Sequence, residues 1–367
     1  MKQQVSEVPD FALRPGVQRG DSVLFLNQGR YQWVFDRLPG RYAVIAVFGA
    51  ESQAALDALN ALENHRGLAD SGKAAFFAAI VGPDGGIELE RRFPSVRFLW
   101  QADELSRGFG SGPQGCLVIV NPMLRAIDVA ILADHARVLN LLERLPPPSE
   151  ASSAAASAPI LILPDVLEPE FCRHLVDIFN RDGGRESGYL VDVDGKSIES
   201  SNQTWKRRRD LMLTDPSLVA PIRARIGRRV CPEIKKAFQF TVSRVERDLV
   251  SRYDAETGGH YDPHRDDIGS ALAAHRRFAV TIVLNDDFDG GELSFPEYGP
   301  QKYRPTPGSA LVFSASILHG VSPVTRGRRY VFLTFLFDEE AEKVRLANLR
   351  PVSHSQPDPK CPPSSSE

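Results

Sequence analysis

Three residues of the chain have types and spacing that could bind a metal ion. His264 and Asp266 stand in the tripeptide HRD, and His319 follows an apolar run, ALVFSAS, at 310–316. In an extended strand, residues i and i+2 point to the same face, so HRD directs His264 and Asp266 to one point and turns Arg265 away. A third ligand must then come from a strand that is distant in sequence, and His319 lies where such a strand would deliver it.

Two imidazoles and one carboxylate on one face are the ligand set of non-heme Fe(II) sites that use oxygen and keep open positions opposite the protein ligands. An arginine, Arg329, lies ten residues beyond His319 in RRYVFLTFLF at 328–337. If this strand pairs near the His319 strand, the guanidinium can reach past the metal and bind a carboxylate in bidentate fashion.

Two other histidines compete for the metal site. His260 would share a strand face with His264, but we interpret it as a pocket or loop residue because the His264-x-Asp266 pair carries the full pattern. His275 stands in HRRF just before a strand, and we expect it to face solvent. Taken singly, the three candidate ligands also fit a surface turn and a buried structural histidine.

The surrounding motifs carry a family resemblance. Tyr253 and a Gly-Gly turn precede the HxD pair, GGELSFPE follows it, and PVTRGRR follows His319. With these motifs the chain resembles the 2-oxoglutarate/Fe(II) dioxygenases of the prolyl 4-hydroxylase-like group, over roughly residues 159–340. The resemblance implies a double-stranded β-helix, or jelly roll, with flanking helices.

The same resemblance implies roles for individual residues. His264, Asp266 and His319 are expected to bind Fe(2+), Arg329 to hold the distal carboxylate of 2-oxoglutarate, and Tyr253 to line the cosubstrate pocket. The implied reaction hydroxylates a C–H bond, with peptidyl proline as one candidate, and converts 2-oxoglutarate and O2 to succinate and CO2. L-ascorbate is a further candidate cofactor. The chain departs from the family where Val283 stands in place of a second cosubstrate-binding tyrosine.

The N-terminal part alternates short apolar runs with helical patterns, which is typical of an α/β layer fold. YAVIAVFGA at 42–50 predicts a buried strand, and the next segment has helical periodicity with Ser52 as a candidate cap. Further strands are predicted at 74–82, 97–101 and 115–122, and DHARVLNLLERL at 134–145 predicts a closing helix.

This layout, together with PDFAL near the start, GD at 20–21, AIVGPDG and CLVIVNP, resembles a thioredoxin-like fold of the peroxiredoxin kind. That family places a reactive cysteine after the first core strand, where a helix N-terminus would lower the thiol pKa. This chain has FGAESQAAL there, without a cysteine, and Cys116 lies inside a later apolar strand. We therefore expect a scaffold without thiol chemistry, which serves docking, dimerisation, substrate presentation or structural support.

The resulting organisation has two domains joined by a linker rich in Pro, Ser and Ala. Its parts are a thioredoxin-like domain at 1–147, the linker at 148–158, the dioxygenase domain at 159–341 and a disordered tail at 342–367. In the second domain, NDDFDGGELSF predicts a hairpin in which Gly290 and Gly291 adopt positive φ.

The composition of the chain limits the classes of binding partner and the cellular compartment that we expect. The net charge is −3 and neither half of the chain is basic, so a nucleic-acid partner is not expected. The four cysteines are scattered, which indicates neither a zinc site nor a disulfide framework. The start has no apolar signal core, and no run approaches ~18 apolar residues, so we expect a soluble, cytoplasmic protein without a membrane partner.

Two questions remain open from the sequence. The basic run WKRRRDLML is either a solvated face or a place where Arg207, Arg208 or Arg209 holds an acidic or peptide substrate. The substrate itself is a protein or a small molecule, and a homodimer through the N-terminal domain is one option. The alternative to an oxygenase is a redox adaptor or binding protein with a non-catalytic jelly roll.

Overall fold

The computed structural model describes residues 17–19, 23, 40–49, 52–82, 87–151, 157–193 and 196–349. The chain divides into two compact units, Met1–Ala154 and Ala155–Glu367. Within the described ranges, no helix is both long enough and apolar enough to cross a membrane. The motifs PDFAL and GD, and Cys361, lie outside the described residues.

The N-terminal unit is built on one mixed five-stranded sheet with the order β3-β2-β1-β4-β5. Its strands are β1 (Tyr42–Phe48), β2 (Ala74–Ile80), β3 (Val96–Trp100), β4 (Cys116–Val120) and β5 (Ala126–Ile131). The first three strands pair in parallel, whereas β4 runs antiparallel to β1 and β5 antiparallel to β4. Every residue of β1 and β2 is buried, as expected for strands that are covered on both faces.

Helices cover both faces of this sheet. They are α1 (Gln53–Asn64), α2 (Arg66–Asp70), α3 (Ile87–Arg92), α4 (Asp103–Phe109), α5 (His135–Arg144) and α6 (Pro148–Ala151). Helices α1 and α5 pack on the side of Val44, and α4 packs on the side of Ile45. The predicted cap of α1 is confirmed, because Ser52 Oγ accepts a hydrogen bond from the Ala55 amide at 3.2 Å.

Cys116 is buried, in keeping with its position inside an apolar strand. Its residue is 7% exposed within the core beneath α4, and burial raises the pKa of the thiol to about 12. A thiol with so high a pKa holds almost no thiolate at neutral pH, and the thiolate is the nucleophilic form.

The C-terminal unit has two larger antiparallel sheets. The strands of the seven-stranded sheet are, in spatial order, β6 (Ile160–Leu163), β18 (Ala310–Ser314), β14 (Phe278–Val283), β21 (Arg328–Phe337), β12 (Arg244–Asp254), β11 (Arg209–Met212) and β7 (Arg185–Glu186). Those of the five-stranded sheet are β10 (Lys206–Arg207), β13 (His260–His264), β19 (His319–Val321), β16 (Leu293–Ser294) and β17 (Lys302–Tyr303).

The two sheets share one apolar core, in which Val331 and Phe313 of the larger sheet pack with Leu293 and Val321 of the smaller one. Alternate residues of the larger sheet turn outward and pack against α7 (Pro169–Asp182), α8 (Pro216–Arg229) and α9 (Cys231–Phe238). The region is therefore a jelly roll with helices on the outer face of its larger sheet.

Two short ladders complete this unit. Strand β8 (Tyr189–Val193) pairs with β9 (Lys196–Ser200), and β15 (Asp289–Gly290) pairs with β20 (Val324–Arg326). The hairpin predicted for NDDFDGGELSF is therefore wrong in its pairing. Its two halves bond to different partners, β20 and β19, because Gly290 (φ 74°) and Gly291 (φ 67°) carry the chain from one ladder to the other. The positive φ predicted at both glycines is confirmed.

The predicted boundaries also need correction at two places. Residues 342–348, assigned to a disordered tail, belong to helix α10 (Glu339–Asn348), which is rich in strong helix formers and begins where Asp338 accepts from the Ala341 amide. At the predicted linker, residues 148–151 form the helical turn α6, residues 152–156 are not described, and the compact units divide after Ala154.

The glycine turn gives a test of the fold. We expect Gly290→Ala to lower the free energy of unfolding by about 1–3 kcal/mol, because the new Cβ would overlap the Pro323 carbonyl oxygen at a left-handed φ. Gly227→Ala is the control. It lies inside α8 with no heavy atom within 4 Å of the new Cβ, so it should stabilise by about 0.5–1 kcal/mol. Urea unfolding measures both, and equal effects would contradict the turn geometry.

Candidate metal centre

The structure brings His264, Asp266 and His319 together at the centre of the five-stranded sheet. His264 ends β13 and His319 begins β19, and the two are direct cross-strand partners in this antiparallel pair. Asp266 follows β13, and its amide donates to the Ala315 carbonyl at 2.9 Å. The ligand atoms of the three side chains all lie within 4.8 Å of one another.

Both imidazoles present the same ring nitrogen to the carboxylate. Nε2 of His264 lies 3.6 Å from Asp266 Oδ1, and Nε2 of His319 lies 3.3 Å from Asp266 Oδ2. Each Nδ1 faces a backbone carbonyl, that of Asp262 at 2.8 Å and that of Ile317 at 2.9 Å. Since a carbonyl only accepts, Nδ1 carries the proton and Nε2 offers its lone pair, which is how metal-binding histidines are oriented.

The electrostatics favour the ligand forms of these groups. Burial and the neighbouring His319 lower the pKa of His264 to about 4, so its imidazole is neutral at pH 7. Burial acts to raise the pKa of Asp266, but His319 and His264 hold it well below its usual range. Two imidazoles and a carboxylate that converge in a buried site fit a divalent metal ion with open positions.

The residue between the two ligands of the HRD motif has a partner that the sequence did not reveal. Arg265 Nη2 donates to Glu297 Oε1 at 2.6 Å, and both side chains are less than 10% exposed. Arg265 Nη1 also donates to the Ser316 carbonyl, and Glu297 Oε2 accepts from the Leu318 amide at 3.1 Å. The buried ion pair therefore ties the HRD segment to the backbone that precedes His319.

Arg329 reaches the interior from the other sheet, which corrects the expected pairing. Its strand β21 pairs with β12 and β14 and not with the His319 strand. Arg329 is the cross-strand partner of Tyr253, and its guanidinium carbon lies 5.1 Å from the centre of the Tyr253 ring. A Cβ at Gly291 would lie 2.7 Å from Arg329 Cδ, so this glycine leaves room for the arginine.

The structure places the other sequence candidates as follows. Val283 is buried on β14 opposite Val331, in the neighbourhood of Arg329. His260 is outside the metal group, since its ring nitrogens face the carbonyls of Gly258 and Thr204 at 2.7 and 3.1 Å. The expectation that His275 faces solvent is wrong. It is 1% exposed and contacts Glu246, because the loop that carries it packs under β12.

The three arginines of the basic run have three different environments. Arg207 donates to the carbonyls of Gln203 and Thr257, and Arg209 donates to those of Gly183 and Gly184. Arg208 is directed inward, where it pairs with Asp210 at 2.7 Å and lies 3.5 Å from the Tyr253 hydroxyl. The run is therefore not a uniformly solvated face, because its middle residue reaches the interior.

Aromatic rings form the wall beside the first ligand. Tyr261 stacks on His264 with ring centres 3.5 Å apart, and Trp205 meets both rings edge to face. Tyr189 of the β8–β9 hairpin packs against Trp205 at 4.5 Å. These rings fix the plane of the His264 imidazole and exclude water from that side.

Comparisons with known proteins found relatives that match the C-terminal part of the chain. The family described as the 2OG-Fe(II) oxygenase superfamily matches residues 249–337. The chain is 30% identical over 179 residues to the PKHD-type hydroxylase Mmar10_1675 of Maricaulis maris (strain MCS10), covering 46% of this chain and 74% of that protein. It is 28% identical over 183 residues to the PKHD-type hydroxylase GOX0559 of Gluconobacter oxydans (strain 621H), covering 47% and 74%.

Among solved structures, a prolyl hydroxylase from Trichoplax adhaerens, in complex with a hypoxia inducible factor peptide fragment, aligns with a TM-score of 0.39 at 17% identity and covers 53% of this chain and 89% of that one.

The chain belongs to the 2OG-Fe(II) oxygenase superfamily. It is a 2-oxoglutarate-dependent dioxygenase, and membership implies Fe(II) and 2-oxoglutarate as its metal and cosubstrate.

The buried ion pair gives a test of how the centre is held. We expect Glu297→Gln to lower the free energy of unfolding by about 3 kcal/mol, because Arg265 keeps a buried charge without its carboxylate. We also expect Mn(II) affinity to fall by about 10- to 100-fold, because the ligands lose their support. Glu256→Gln is the control, since that side chain is 83% exposed. Equal stability and affinity in the two variants would contradict the role of the pair.

Proposed function

We propose that this dioxygenase hydroxylates a C–H bond of its substrate at a centre in which His264, Asp266 and His319 bind Fe(II). The observation that carries this proposal is the cross-strand pairing of His264 and His319 around a shared carboxylate, with both Nε2 atoms directed at it. When bound, the metal supplies oxygen activation coupled to conversion of 2-oxoglutarate to succinate and CO2. Peptidyl proline is the first substrate to test.

The cosubstrate end of the interior is assigned to Arg329 and Tyr253. The Arg329 guanidinium is buried and bears a positive charge suited to bidentate binding of the distal carboxylate of 2-oxoglutarate. Tyr253 is the cross-strand partner of Arg329. The guanidinium groups of Arg329 and Arg208 both lie over its ring, so the ring is fixed from two sides. Val283 offers no hydroxyl, which leaves the anchoring to these residues.

The remaining side chains orient the proposed metal ligands and shield them from water. Nδ1 of each histidine is held by a carbonyl, which keeps Nε2 directed at the metal position. Trp205 and Tyr261 keep water from the His264 side, and the Arg265–Glu297 pair fixes the two ligand segments relative to each other. L-ascorbate remains a predicted further cofactor, to be tested by adding it to the assay.

For the N-terminal unit we propose a thioredoxin-like fold without thiol chemistry. Support comes from the parallel β1–β2 pair, the antiparallel β4 and β5 beside it, and the helix α5 that follows. The high pKa of buried Cys116 disfavours a redox role for that thiol. Docking of a protein substrate and homodimerisation both remain proposals for this unit.

Removal of the carboxylate tests the metal assignment. We expect Asp266→Ala to abolish stoichiometric Mn(II) or Fe(II) binding and turnover, because two imidazoles remain where three ligands converge. Asp262→Ala is the control, since its side chain on the same strand is 51% exposed and the carbonyl that orients His264 is kept. Isothermal titration with Mn(II) measures the difference. Near wild-type metal affinity in Asp266→Ala would remove the assignment.

A second pair of variants tests the cosubstrate assignment. We expect Arg329→Gln to weaken 2-oxoglutarate binding to the anaerobic Fe(II) protein by roughly 30- to 1000-fold, which corresponds to the loss of a buried charge-assisted pair worth about 2–4 kcal/mol. Arg328→Gln, at the neighbouring and half-exposed position, should change it less than threefold, or about 0.6 kcal/mol. The reverse order would assign the cosubstrate to Arg328.

A further inference from the structure

Strand β12 contains an irregularity near its start. Glu246 lies opposite Phe335 and Leu249 lies opposite Leu333, so three steps along β12 match two steps along β21. On the helix side of the sheet, Asp248 pairs with Arg223 of α8 at 2.6 Å. The extra residue of this β-bulge is therefore accommodated beside Arg247, and bulges of this kind redirect a side chain.

Arg247 has the backbone of a strained residue. Its φ is 63°, in the left-handed region that branched and long side chains seldom adopt. Among the described non-glycine residues with positive φ, it is the one that lies inside a strand. Strain of this kind persists where the surrounding structure enforces it, and it is concentrated at functional sites.

The bulge places the guanidinium of Arg247 among other cations. Burial and the nearby Arg276 and Arg208 lower the pKa of Arg247. Arg247 contributes in turn, after burial and Arg208, to the depressed pKa of Lys206. The residue is nevertheless only half-buried, so solvent still reaches it within these surroundings.

The neighbouring arginines have carboxylate partners, whereas Arg247 has none. Arg208 pairs with Asp210 at 2.7 Å, and Arg276 pairs with Glu246 at 3.2 Å. Across residues 17–349, as far as the structure describes them, Arg247 makes no hydrogen bond and no ion pair. Asp210 and Glu246 offset part of its charge from beyond ion-pair distance, but each of these carboxylates is already paired with another arginine, so the Arg247 guanidinium is open to an anion.

Two neighbours connect Arg247 to the metal centre. Arg276, its neighbour, donates to the Asp266 carbonyl at 3.0 Å, and Tyr261, which stacks on His264, also interacts electrostatically with Arg247. Tyr253 stands six residues further along β12, or roughly 20 Å at ~3.3 Å per residue. The backbone of Arg247 is therefore well separated from that of the Tyr253–Arg329 pair, although Arg208 interacts with both Arg247 and Tyr253.

We propose that Arg247 binds a carboxylate of the primary substrate and so selects an acidic substrate for the metal centre. The proposal rests on the function proposed above and adds the substrate class. One unpaired guanidinium matches one carboxylate in charge and in its planar fork, whereas a phosphate monoester brings nearly two charges. The carboxylate belongs either to an acidic side chain of a peptide or to a free organic acid.

The test compares two fluorescein-labelled, end-capped peptides that contain one proline and differ only in glutamate or glutamine on either side of it. Fluorescence anisotropy is measured with the full chain at low salt, with and without saturating Mn(II) and 2-oxoglutarate. We expect the wild-type protein to bind the glutamate peptide at least about tenfold more tightly. L-proline and L-glutamate, added as competitors, report on the free-acid source.

Three substitutions at Arg247 test whether its side chain is responsible for the preference for the glutamate peptide. Arg247→Gln should bring the two peptides within about twofold of each other, and Arg247→Lys should keep part of the preference. Arg247→Gly also removes the charge but suits the left-handed backbone, so it should lose the preference while its midpoint of thermal unfolding is unchanged or higher. Arg244→Gln, on the same strand with its side chain 49% exposed, is the matched control and should behave as wild type.

The outcomes are distinct. If the preference for the glutamate peptide depends on Arg247, the recognised carboxylate belongs to a peptide side chain. If free L-proline or L-glutamate competes in a manner that depends on Arg247, the recognised carboxylate belongs to a free organic acid. The proposal is overturned if the wild-type protein shows neither, or if Arg247→Gly retains the preference. Because the binding assay needs neither iron nor turnover, its failure is separate from a failure of the metal assignment, which the Mn(II) titration of Asp266→Ala detects.

Discussion

The antiparallel register between β13 and β19 is the constraint on which the rest of the site depends. It makes His264 and His319 direct partners although 54 residues separate them in the numbering, and it leaves Asp266 just beyond the strand end, between the two imidazoles. A shift by one residue would turn one histidine to the other face of the sheet. The buried pair of Arg265 and Glu297 opposes such a shift, because it bonds to the backbone on the approach to His319.

Inside the jelly roll, the proposed metal ligands and the cationic side chains come from different sheets. Carboxylate and imidazole ligands come from the smaller sheet, and the cations Arg329 and Arg208 face them from the larger sheet or its edge. Arg208 is neutralised by Asp210, whereas Arg329 lies beside the ring of Tyr253. The charge of Arg208 is thus matched within the chain, and the charge of Arg329 is available for the cosubstrate that we propose.

Local sequence patterns predicted many of the elements and the convergence of His264, Asp266 and His319. The HxD spacing, the apolar strand before His319 and the turn glycines are short-range features, and strand geometry alone gives their directions. Which strands pair is a long-range property, so the pairing of the Arg329 strand with the His319 strand entered the sequence analysis only as a condition. The structure places Arg329 on the opposite sheet, next to Tyr253.

The residues that the sequence analysis overlooked or placed wrongly also depend on contacts between distant parts of the chain. Glu297 stands in the motif GGELSFPE without a predicted role of its own, because that role depends on Arg265, which lies 32 residues earlier. His275 follows a polar loop, yet the loop folds under β12 and buries the ring against Glu246. No glycine or proline marks the bulge at Arg247 in the sequence. Its only sequence signal is an arginine in an otherwise ordinary strand.

The most direct measurement of the central claim is an anaerobic titration of the wild-type protein with Fe(II) followed by 2-oxoglutarate, monitored by calorimetry and visible absorption. The account predicts one Fe(II) per chain, a visible band that appears only when 2-oxoglutarate is added, and saturation of that band at one cosubstrate per iron. A protein that binds no stoichiometric Fe(II), or binds it without any spectral response to 2-oxoglutarate, would contradict the assignment of His264, Asp266 and His319 as the oxygenase centre.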